Sequence, residues 1–91
     1  MTKDNKEKQV AALKYNQDNN NAPEIVALGQ NQMAERIINV AKESGVPIYE
    51  NAPLAESLNK MRIGQEIPTE LYEVVAQVLL YVAELDDLKG R

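Results

Sequence analysis

From Gly64 to Leu85 the chain reads GQEIPTELYEVVAQVLLYVAEL, and its second half is apolar at helical spacing. Leu71, Val75, Val78, Val82 and Leu85 recur every three or four residues, with Tyr72, Ala76 and Leu79 widening the stripe. Gly64 and Pro68 punctuate the chain ahead of it, and a proline suits a helix start because its missing N–H would have no partner there. Glu70 and Glu73 then meet the positive end of the helix dipole. A stripe this broad must be covered, so the segment is expected to be the lid of a core that the rest of the chain builds.

The chain has only 91 residues with which to build that core, enough for a single domain. The net charge of −4 argues against a nucleic-acid partner, which would call for clustered Lys and Arg. No apolar run approaches the span of a bilayer, and the N-terminal MTKDNKEK lacks the apolar centre of a signal peptide, so a soluble cytoplasmic protein with no direct membrane insertion is expected. Without Cys there are no disulfides, thiol nucleophiles or thiolate metal sites. Without His, the commonest general base and zinc ligand is missing as well. The 14 Asp and Glu residues are spread along helix faces and loops instead of converging in an apolar setting. Together with the lack of any glycine-rich phosphate loop or calcium loop, this predicts a non-enzyme with no cofactor and no metal.

Along the chain, residues 1–8 form a polar arm and residues 9–91 the domain. Lys8–Tyr15 alternates as a strand, with Val10, Ala12 and Lys14 on one face and Ala11, Leu13 and Tyr15 on the other; a helix is the alternative, given the propensity of Ala-Ala-Leu-Lys. Asn16–Ala22 is a hairpin loop, since Asn and Asp tolerate left-handed backbone and suit turns. Pro23–Leu28 is then a second strand, antiparallel to the first. Asn31 is placed as N-cap of a helix over Gln32–Ser44 that Gly45 stops, its buried face formed by Met33, Ile37, Val40 and Ala41 beside Ala34 and Ile38. Val46–Glu50 is a third strand, parallel to the second through a right-handed crossover. A short helix carries Leu54, Leu58 and Met61 on one face, and the long helix follows, weakening beyond Leu85 where Glu84, Asp86 and Asp87 oppose its dipole. The expectation is α/β: a small three-stranded sheet, hairpin plus βαβ unit, packed with three helices.

Four stretches taken together resemble one family: VAALKY (10–15), APEIVALG (22–29), AERIINVAKESGVPIYENAPLAESL (34–58) and IGQEIPTELYEVVAQVLLYV (63–82). They are similar to the cytoplasmic C-terminal domain of the FlhB/YscU export switch proteins of flagellar and type III secretion systems. GVPIYENAPLA and IGQEIPTELYE are the specific pieces. Family members carry membrane-spanning helices before this domain, and an Asn-Pro-Thr-His motif at which the Asn amide attacks its own carbonyl and cuts the backbone. Counted back from the matched strand, that motif falls on Asn5, Lys6, Glu7 and Lys8. The Asn is kept and its three partners are replaced, so self-cleavage is not expected.

The resemblance implies a free-standing, non-cleaving component or modulator of export, cytoplasmic or peripheral at the membrane export apparatus. Its implied partners are proteins: the membrane export gate or switch protein, and export substrates. The family's recognition surface maps to Ala22, Pro23, Ala76 and Leu79, the last two lying also on the stripe expected to be core. In the family a strand upstream of the cut pairs with the domain, so Val10, Ala11, Ala12 and Leu13 are the candidate edge for strand addition. The alternative is an adaptor or regulatory domain that kept the fold and serves a different protein partner.

Overall fold

Alternation and turn chemistry set the first two elements. The computed structural model describes residues 8–15 and 22–89; Asn5, Lys6 and Glu7, and the loop residues Asn16–Asn21, lie outside them. Strand β1 (Gln9–Lys14) pairs antiparallel with β2 (Glu24–Gln30), Ala11 opposite Leu28 and Leu13 opposite Ile25, with a bulge between Ala12 and Leu13. The helical alternative for Lys8–Tyr15 is therefore not taken: a backbone with apolar groups on both faces finds cover on both faces.

Helix α1 (Asn31–Glu43) covers one face and lies over Gly29, where a Cβ would come within 2.8 Å of Ile37 Cδ1 and 2.9 Å of Met33 Cγ. The other face packs against α2 (Ala52–Leu58), Ile67 and the last helix, α3 (Tyr72–Lys89), which a 3-10 turn over Thr69–Leu71 introduces. Ile25, Leu54, Leu58, Ile67 and Val75 form the buried cluster here. Ala11, Leu13 and Leu28 from the hairpin, Leu71 from the 3-10 turn, and Val74, Val78 and Leu79 from the long helix pack around it. The Asn51 side chain caps α2 by accepting from Leu54 N–H at 3.1 Å. Tyr49 and Tyr81 meet edge-on with centroids 5.1 Å apart, tying the segment before α2 to the far half of α3.

Several expectations are corrected. The sheet has two strands, not three: Val46–Glu50 joins no ladder, so the parallel βαβ pairing is not made. The far edge of β2 is taken instead by the chain returning after α2. Ile25 N–H donates to Gln65 O (2.9 Å), Gly64 N–H to Ile25 O (2.7 Å) and Ile67 N–H to Pro23 O (2.9 Å), an antiparallel bridge of Glu24 with Glu66. Gly64, at φ 93°, supplies the left-handed turn that lets this segment reach β2. Asn31 is not a side-chain cap. With no loop between β2 and α1 the chain reverses at that residue, and Asn31 takes φ 56° while its N–H bonds Lys8 O at 2.8 Å. On α1 the fully buried residue is Ala34, whereas Met33 and Val40 are 50% and 59% exposed, because the small hairpin covers only a narrow strip of the helix. The backbone of α3 stays helical through Lys89, past the expected weakening at Leu85.

Candidate protein-binding site

The free end of the hairpin and the first two turns of α3 enclose an apolar groove of about 290 Å³. The strand period puts Tyr15 on the same face as Ala11 and Leu13, at the end of β1. Ala22 and Pro23 face it across the hairpin, and Pro23 is buried, its carbonyl held by Ile67 N–H. Pro at this point is compatible with the sheet, since it precedes the strand. From α3 come Tyr72, Val75, Ala76 and Leu79, at i, i+3, i+4 and i+7, which makes one stripe of them. Val75, 2% exposed, belongs to both the groove and the core; Leu79 is half-buried against the core, and Ala76 is exposed.

The four residues singled out from sequence, Ala22, Pro23, Ala76 and Leu79, thus share one groove. Leu79 both packs against the core and lines the groove, and Ala76 lies on the open side of α3 instead of in the core stripe. Tyr15, Tyr72 and Val75 were not anticipated as lining residues. The available signals were the alternation that pairs Tyr15 with Leu13, and the i, i+4 relation of Tyr72 to Ala76. Among the described residues no charged side chain lines the groove, and its apolar lining suits it to hold an apolar side chain. Among the described residues no group of three or more Asp or Glu could hold a metal ion.

The outer edge of β1 is the second feature. Asn31 N–H bonds Lys8 O, so the backbones of Lys8, Val10 and Ala12 point toward β2, while those of Gln9 and Ala11 point away. Beyond the bulge, Ile25 bonds the Gly64–Gln65 segment, which leaves its opposite residue Leu13 pointing outward too. Of the edge expected over Val10, Ala11, Ala12 and Leu13, only Ala11 and Leu13 therefore present backbone groups, joined by Gln9. Val10 and Ala12 turn theirs inward, and the Val10 carbonyl also accepts from Asn59 Nδ2 at 3.1 Å. Among the described residues nothing pairs with the outward groups. Lys8, from the degenerate tetrapeptide, opens the hairpin and sits 3.3 Å from Glu35 in an exposed ion pair.

The model of the FlhB HrpN YscU SpaS family matches residues 7–82. This chain belongs to that family. It is 35% identical over 80 residues to the YlqH protein of Bacillus subtilis (strain 168), covering 88% of this chain and 86% of that protein. It is 43% identical over 72 residues to the flagellar biosynthetic protein FlhB of the same organism, covering 78% of this chain but only 20% of FlhB. Among solved structures, the EscU C-terminal domain superposes with a TM-score of 0.78 at 30% identity, covering 84% of this chain and 93% of that domain. The family is one of protein transport, type III secretion and flagellum biogenesis. Among the described residues no helix is long and apolar enough to cross a membrane.

Proposed function

We propose that this chain serves type III protein export as a non-catalytic, cytoplasmic counterpart of the switch protein's C-terminal domain. It takes apolar segments of export substrates into the groove and joins the membrane-anchored part of a switch protein through the outer edge of β1. The groove carries this reading: residues far apart in sequence, Pro23 and Ala76 among them, converge on one open apolar site in a domain of an export family. The edge, which no described residue pairs, supports docking by strand addition, in which main-chain bonds supply affinity. Asn5 without Pro, Thr and His beside it leaves no route to self-cleavage, so intact mass stays that of the full chain on long incubation.

The test is restoration of export in a strain whose switch protein is truncated at its cleavage site. The chain should restore secretion of hook subunits, and Ala76→Asp, a change at an exposed position, should abolish it without altering the fold. A peptide copying the family's upstream strand should slow amide exchange at Ala11 and Leu13 more than at Val10 and Ala12. No restoration by a folded, expressed protein, with no exchange protection, would favour the adaptor reading with a different protein partner.

A further inference from the structure

The open side of α3 is apolar along its middle and acidic at both ends. Ala76, Leu80 and Ala83 are exposed in a line, Leu80 at 61%, and the groove opens onto this line at Ala76. Glu73 and Glu84 flank it, both exposed, and no Lys or Arg occurs between Tyr72 and Leu85. Among the described residues neither carboxylate has a cation within 4.0 Å. Helix stability accounts for Glu73, which lies in the first turn, but not for Glu84, which lies beyond the reach of the dipole's positive end.

We infer that the groove's occupant is a basic segment of a partner protein: an apolar anchor seated between Tyr15, Pro23 and Leu79, with Lys or Arg on either side meeting Glu73 and Glu84. The inference rests on the groove reading above and narrows its substrate class. The two carboxylates are eleven positions apart, roughly 16 Å along a helix, which about five extended residues span. The chain's net charge of −4 acts in the same sense at longer range, raising the encounter rate with basic segments and disfavouring acidic ones.

Two synthetic peptides with the same leucine anchor, one flanked by Lys and the other by Glu, test this by fluorescence anisotropy against the full chain. The Lys peptide should bind about fivefold tighter at low ionic strength, the effect of two exposed charge pairs. That preference should vanish near molar salt, where screening is nearly complete, and in the Glu73→Gln/Glu84→Gln double variant it should shrink to the weak long-range pull of the remaining net negative charge. Ala76→Asp should remove binding of both peptides. Equal binding of the two peptides, or a preference undiminished in the double variant, overturns the inference and leaves the groove reading standing. Failure of both peptides to bind overturns the groove reading and this one with it.

Discussion

Leu79→Ala and Leu80→Ala delete the same side chain from adjacent positions of one helix, so any difference between them measures burial alone. Leu79 packs against the cluster of Ile25, Leu54, Leu58, Ile67 and Val75, whereas Leu80 is 61% exposed. Three carbons moved fully out of water are worth roughly 2.4 kcal/mol. Leu79 is only partly covered, and the space it vacates opens into the groove, where water enters and no empty cavity is left. The expected loss is therefore about 1.5–2 kcal/mol, below the roughly 2–5 kcal/mol of an enclosed Leu→Ala change. At roughly 4–8 °C per kcal/mol for a domain of this size, the melting temperature should fall by roughly 6–16 °C. Leu80→Ala should stay within about 0.5 kcal/mol of the parent, helped by alanine's helix propensity. Thermal melts followed by far-ultraviolet circular dichroism decide it. Equal losses, or a larger one for Leu80→Ala, would refute the placement of α3 on the core. A domain with a total stability of roughly 5–14 kcal/mol survives either change, so Leu79→Ala can also be tested folded, and it should lose peptide binding.

Gly29→Ala should lower the urea midpoint by the equivalent of roughly 1–3 kcal/mol, an overpacking effect: the exposed Met33 can swing aside, but Ala34 N, 3.1 Å from the new Cβ, cannot. Gly64→Ala meets no atom within 4 Å, so its expected loss of roughly 1–2 kcal/mol is purely the strain of φ 93°, and Gly64→Asn should recover part of it in the same melt. Asn51→Ala removes the acceptor for Leu54 N–H and should cost about 1 kcal/mol, with faster amide exchange at Leu54, while Asn51→Asp should retain most of the stability.

The local elements were legible in the chain itself. The period of Leu71, Val75 and Val78 announced α3, the alternation from Val10 to Tyr15 announced β1, and stretches such as GVPIYENAPLA carried the family. These depend on near neighbours: helical and strand periods repeat within a few residues, and turn residues act through their own backbone. What periodicity cannot state is which segment covers an apolar face, or whether any does. Met33 and Val40 fit the helical stripe as well as Ala34, yet only Ala34 is buried, because the hairpin is too narrow to reach the other two. Val46–Glu50 has the composition of a strand, but the edge of β2 it would have needed is occupied by Gly64–Ile67, brought back by a turn at one glycine. The groove depends on the same kind of long-range placement. Tyr15, Pro23 and Ala76 become neighbours only when α3 lies across the end of the hairpin, and that arrangement follows from burying Val75 against Ile25, not from anything local to the three residues.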